Sequence, residues 1–215
     1  MKISTVIKSL CGAAVVALPL VASAESNVST SATGIGALTT VAHVNFTIVV
    51  AKTLYLRVGT GSAYSTGVLS PANATIDTIT FTPAVAAIGN GTAIAGTGGD
   101  LTNGVETAAI VANGGSVALV ATTGGALSNG NGGTIPYTQI STTAAAGTFA
   151  TLLNAPVLAN GASNTVNLTA VGNAPITADA QWTYKYLNAA AVAPGTYGTG
   201  TAGGNGQVTY TATMP

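Results

Sequence analysis

Apolar and polar residues alternate strictly at several places along this chain, and that period constrains the fold more than any other feature. Residues 41–50 (VAHVNFTIVV) set Ala42, Val44, Phe46, Ile48 and Val50 against His43, Asn45, Thr47 and Val49, which predicts a half-buried strand. Residues 53–58 (TLYLRV) repeat the pattern, with Leu54, Leu56 and Val58 on one face, until Gly59 and Gly61 stop it. Residues 75–82 (TIDTITFT) form a β-branched run in which Ile79 and Phe81 share a face and Pro83 ends the strand. Residues 165–171 (TVNLTAV) alternate, and residues 180–187 place Trp182, Tyr184 and Tyr186 on one side. At 207–214, Val208, Tyr210, Ala212 and Met214 alternate with Gln207, Thr209, Thr211 and Thr213, a regularity expected of a paired strand rather than a frayed end.

Turn signals separate these runs. Asn90-Gly91, Asn103-Gly104, Asn129-Gly130, Asn131-Gly132 and Asn160-Gly161 predict many short strands, the pattern of a sandwich or barrel. The runs ETAAIVA and SVALVAT flank Asn113-Gly114-Gly115 and predict a hairpin. The stretch 84–135 is rich in Gly, Ala, Asn and Thr and reads as an insertion. Residues 143–153 (TAAAGTFATLL) are the best helix segment, interrupted by Gly147. No strict repeat marks a solenoid, and no compositional break divides residues 40–215. The expected architecture is all-β: an Ig-like antiparallel β-sandwich over 40–215 with an N-terminal extended arm at 25–39 and the Gly/Ala/Asn-rich insertion.

The first residues read as an export signal. Lys2 and Lys8 form a basic start, residues 10–21 are apolar, and Ala22-Ser23-Ala24 fits the small-residue cleavage pattern, which places the signal at 1–24 and the mature start at Glu25. The apolar run is short for a membrane span. Cys11 is the single cysteine and falls within this signal, so the mature chain has no disulfide and no thiolate ligand. Only 5% of residues are charged, against roughly 25% in ordinary soluble domains. No Lys or Arg lies between Arg57 and Lys185, which excludes a basic patch for nucleic acid or anionic lipid. Such a surface repels itself little, so close packing of subunits meets little electrostatic resistance.

Residues that carry chemistry are sparse, and neither an enzyme site nor a cofactor or metal site is expected. His43 is the single histidine and lies on the polar face of its run, where a solvent-facing side chain is expected rather than a metal ligand or a triad member. Glu25, Asp77, Asp100, Glu106 and Asp179 are scattered, so their spacing gives no support to a carboxylate pair for glycoside chemistry. Asp100 and Glu106 lack the pattern of a calcium loop. Gly34-Ile35-Gly36 and Gly96-Thr97-Gly98-Gly99 neither follow a strand nor open a helix, and no Lys follows them, so they are not phosphate loops. Trp182, Tyr184 and Tyr186 form either part of the core or, if exposed, a sugar-stacking platform.

Two ends of the chain, taken together, resemble a known family. The signal, the small-residue arm and VAHVNFTIVVAKTLYLRVGTG at one end, with PGTYG and GQVTYTATMP at the other, are similar to bacterial pilus subunits assembled by the chaperone–usher route, especially the archaic type with spore-coat-U-like domains. The resemblance implies an incomplete Ig-like sandwich whose groove is filled first by a periplasmic chaperone, delivered to an outer-membrane usher, and then filled by the neighbour's arm. It implies a homopolymer, with Val28, Thr30, Ala32, Gly34, Gly36 and Leu38 as the first donor-strand segment and Val44, Phe46, Ile48 and Val50 as the second. Val208, Tyr210, Ala212 and Met214 would border the acceptor groove. Donor-strand logic also has a basis apart from the family, since an edge strand is a template for another chain. Removing residues 25–38 is then expected to leave secreted monomers.

The expected function is a structural subunit of an extracellular surface filament with a role in adhesion or biofilm. The alternative is a non-polymerising surface adhesin or carbohydrate-binding module, favoured if Trp182, Tyr184 and Tyr186 are exposed. A functional amyloid lacks support because there is no repeat and prolines at 71, 83, 136, 156, 175 and 194 are spread through the chain. An ice-binding protein would need a regular threonine ladder, and only segments such as TYTAT approach one.

Overall fold

The computed structural model describes residues 26–62, 64, 73–172, 174–198 and 205–215. The expected signal at 1–24 and Glu25 lie outside the described residues. The chain divides into two units, Met1–Val50 and Ala51–Pro215.

In the second unit the strands, in chain order, are β1 (Leu54–Val58), β2 (Ile79–Thr80), β3 (Ile94–Ala95), β4 (Thr97–Gly98), β5 (Val105–Ala112), β6 (Val117–Thr123), β7 (Leu127–Ser128), β8 (Thr134–Ile135), β9 (Ile140–Ala146), β10 (Thr151–Leu152), β11 (Val166–Leu168), β12 (Ile176–Tyr186) and β13 (Val208–Thr213). Helix is confined, among the described residues, to two short 3-10 pieces, Val85–Ala87 and Tyr137–Gln139. The larger sheet runs β1–β5–β12–β10, with β3 and β9 also on β12, and the second runs β11–β6–β13. Pairing in both is antiparallel except for β10 alongside β12. Ala108, Ile110 and Ala112 of β5 and Ala178, Ala180, Trp182 and Tyr184 of β12 meet Val117, Leu119 and Ala121 of β6 in one buried cluster. The fold is therefore an all-β sandwich, as the alternation of the sequence implies.

Five local expectations are corrected. Strands form on both sides of Asn113-Gly114-Gly115, but β5 and β6 do not pair with one another. The turn carries the chain from one sheet to the other. Asn113 closes no hairpin; its side chain accepts from the Thr53 N–H at 2.7 Å and donates to the Ala51 carbonyl at 2.8 Å, tying the entry of β1 to the end of β5.

The helix expected over 143–153 is absent. Residues 140–146 instead run along β12 as β9. The Asp179 carboxylate then takes the Thr148 and Phe149 N–H groups at 2.7 and 2.8 Å, which turns the chain at Gly147. A Cβ on Gly147 would strike that carboxylate. Long-range pairing has overridden the helical preference of the three alanines.

The run at 75–82 narrows to Ile79–Thr80 and that at 165–171 to Val166–Leu168. The largest departure is at 41–50, where a half-buried strand was expected at the start of the sandwich. These residues join no sheet, and every one of them is exposed.

Candidate functional site

Each sheet of the sandwich ends, on the same side, in a strand with one open edge. β1 pairs with β5 alone and β13 with β6 alone, so the second edge of each joins no described strand. The two strands approach one another, and a cleft of about 1840 Å³ opens along them. Leu54, Leu56 and Val58 line one wall, Val208 and Tyr210 the other, and Ile79 and Phe81 stand on the rim. All seven side chains pack against the central core, so the cleft leads directly into the apolar interior. An open edge combined with an apolar trough is the geometry that accepts an added strand: the edge supplies ladder hydrogen bonds, and the trough accepts alternate side chains.

The wall formed by β13 alternates as the sequence predicts. Val208, Tyr210 and Ala212 are half-buried, and Thr209, Thr211 and Thr213 are exposed. Met214 continues the inward face beyond the strand. Tyr210 is held in place by a tilted ring contact with Trp182, 5.3 Å between centroids, and by a 2.8 Å hydrogen bond between its hydroxyl and that of Tyr184. Burial pushes the Tyr210 phenol up to about 12 and raises that of Tyr184 as well, so both stay neutral. Trp182 is fully buried and donates its indole N–H to the Leu153 carbonyl at 2.8 Å. With Tyr184 and Tyr186 also buried, the three rings offer no sugar-stacking platform.

The two donor segments differ in conformation. Within 26–38, the Gly34 N–H reaches back to the Ser31 carbonyl at 3.4 Å, and Gly34 and Gly36 have φ of 64° and 104°. A turn therefore interrupts the face formed by Val28, Thr30, Ala32, Gly34, Gly36 and Leu38. From 37 to 50 there is no turn or bend. Val44, Phe46, Ile48 and Val50 all stand out into solvent, Phe46 at 88% and Ile48 at 86% exposure. Contiguous exposed apolar side chains on this scale mark an interaction surface or an aggregation hazard. His43 lies within this run and is exposed.

One juxtaposition was not visible in the sequence. Asp77, Asp100 and Glu106, read there as scattered, converge with Arg57 at the end of the cleft where β1 stops. Arg57 pairs with Asp100 at 2.9 Å, and Glu106 Oε2 accepts the Asp100 N–H at 3.3 Å. The short spacing from Asp100 to Glu106 across the Asn103-Gly104 turn is a weak signal for that half of the cluster, but nothing in the chain pattern points to Asp77. Among the described residues, no group of three or more His, Cys, Asp or Glu is arranged to hold a metal ion, and no helix is long and apolar enough to cross a membrane.

Comparison of the chain with protein-family models, with curated proteins and with solved structures gives no match.

Proposed function

We propose that this chain is the structural subunit of an extracellular filament, a pilus or fimbria of the chaperone–usher kind, that assembles by donor-strand complementation and serves adhesion or biofilm formation. One observation carries the reading: the same chain holds an apolar cleft between two open strand edges and an exposed alternating segment that joins no sheet. Each half lacks what the other supplies. The segment at 41–50 is the donor in this reading, because it carries the large side chains and has no turn. Full burial of a Val, Ile or Phe side chain contributes about 1.5–3 kcal/mol, so Phe46 and Ile48 are its anchors.

Asn113 occupies the Thr53 N–H and the Ala51 carbonyl, and the Asn113 N–H donates to the Thr53 carbonyl at 3.2 Å. Residues 51–53 thus prolong the line of β1 along the end of β5. The nearly uncharged surface supports close packing of copies. Export through the signal at 1–24, a periplasmic chaperone covering the cleft before assembly and an outer-membrane usher complete the scheme.

Electron microscopy of material sheared from producing cells, with peptide identification of any filament, tests the reading. The unaltered chain is expected in filaments. A chain carrying Phe46→Asp and Ile48→Asp is expected only as folded monomer, whereas deletion of 26–38 is expected to leave filaments intact. Normal filaments from the double variant would sink the proposal.

A further inference from the structure

Glu106 is an anomaly in the sandwich. It sits near the start of β5 on the inner face, in line with Ala108 and Ile110, and is only 5% exposed. A carboxylate in that position is costly unless it is paired or neutral. The nearby cation does not pair with it. Arg57 spends Nη2 on Asp100 Oδ2 at 2.9 Å and Nε on the Gly59 carbonyl at 2.8 Å, while Asp100 Oδ1 takes the Thr107 N–H at 2.7 Å. On the opposite side stand the Tyr184 and Tyr210 hydroxyls, which are bonded to one another.

The carboxyl nearest to Glu106 is that of Asp77: Asp77 Oδ2 and Glu106 Oε2 both crowd the open side of Gly59. They meet over Gly59, whose φ of 81° and missing side chain make the approach possible. A Cβ there would strike Asp77 Oδ2 and lie 2.8 Å from Glu106 Oε2. Asp77 belongs to the segment that leads into β2. It is anchored to the end of β1 by the Thr60 N–H and by the Thr60 hydroxyl at 2.7 Å. Two and four residues further on, Ile79 and Phe81 line the cleft. Phe81 lies 6.4 Å, centroid to centroid, from Tyr186.

We infer that the Glu106–Asp77 pair is an acid-closed lock, in which one shared proton adds to the Thr60 contacts and the β2–β4 pairing that hold residues 75–81 at the cleft, and loss of that proton sets two carboxylates against each other and loosens the segment. The lock belongs to the sandwich alone and stands whether or not the chain polymerises. Its sign follows from the surroundings. Burial is the main force pushing the Glu106 carboxyl up, to about 7; the Asp100 N–H pulls it down, and the carboxylates of Asp77 and Asp100 push it further up. Partial burial opposes the charge on Asp77, but the hydrogen bonds from Thr60 and Glu106 and the charge of Arg57 outweigh it and hold Asp77 below the usual range. Glu106 therefore carries the shared proton and releases it near neutrality, in the range where an extracellular protein meets changes of acidity.

Hydrogen–deuterium exchange of peptides covering 75–81, measured on the full chain between about pH 5.5 and 8.5 and corrected for intrinsic exchange, tests this inference. Protection is expected to fall about tenfold as the pH rises through 7, while peptides of β12 stay constant. Glu106→Gln, whose amide donates to Asp77 at every pH, is expected to be flat. Asp77→Asn removes the like charge and is expected to abolish the step or move it to lower pH; because the residue is half-buried, this variant carries the test if the first fails to fold. A flat profile in the unaltered chain, or an unchanged step in either variant, overturns the inference.

Discussion

Residues 41–50 and β12 (Ile176–Tyr186) have much the same pattern and opposite fates. Both alternate over ten residues or so, and both carry aromatic or β-branched side chains on one face. In β12 those side chains are buried and the backbone is paired along both edges, with β5 on one side and β9 on the other. In 41–50 the side chains are exposed and the backbone joins no sheet. Alternation therefore specifies the capacity to be a strand, and a partner must be supplied separately. For β12 the partners lie in the same chain. For 41–50 no described strand serves as a partner, and the filament reading places a second copy's segment in the cleft between β1 and β13.

If this contrast is correct, damage to β12 should act on folding. Trp182→Ala empties a fully buried site and strands the Leu153 carbonyl, so the sandwich should lose about 3–5 kcal/mol of stability, read as a lower urea midpoint. A loss below about 1 kcal/mol would mean that β12 is not the strand on which the core depends.

Several strands were legible beforehand. The spans of β1 and β13, and the inward face of β12, follow from period-two patterning because one face of each must leave water, and those of β5 and β6 follow from the apolar runs on either side of Asn113-Gly114-Gly115. The pairing was not legible. Asn113-Gly114-Gly115 satisfies the local rule for a hairpin, yet the turn joins two sheets, because β5 finds β1 and β12 as partners and β6 finds β11 and β13. The alanines at 144–146 favour helix locally and were recruited by β12. The exposure of 41–50 was equally hidden, since a segment that pairs within its own sheet and one that joins no sheet can have the same alternation. The Asp77–Glu106 contact depends on how the chain returns to the end of β1, and no spacing encodes that return.

The buried carboxyl next to this core provides a second, smaller test. Glu106 titrates near 4.5 when unfolded and near 7 in the sandwich, so the folded state holds its proton more tightly. Its contribution to stability is complete below about pH 4.5, declines as pH rises, and is lost above about 7. Asp77, held below its ordinary value, acts in the opposite sense and only at lower pH. Urea midpoints should therefore fall from pH 5 to 7.5, and Glu106→Gln should flatten the slope. An equal slope in the variant would assign the dependence to another group.

The smallest expected effect is the most informative about the arm. If 41–50 contributes nothing to the sandwich of its own chain, then Phe46→Asp and Ile48→Asp should leave the urea midpoint of the isolated monomer within about 0.5 kcal/mol of the unaltered chain. A buried strand would not tolerate a charge at these positions, and the same substitution at Tyr184 or Ile110 should prevent folding. A loss of 2 kcal/mol or more in the monomer (roughly the value of one buried large side chain) would show that the segment docks on its own sandwich in solution. In that case the cleft between β1 and β13 would be filled within one chain, and the division between a self-sufficient strand and a waiting one would disappear.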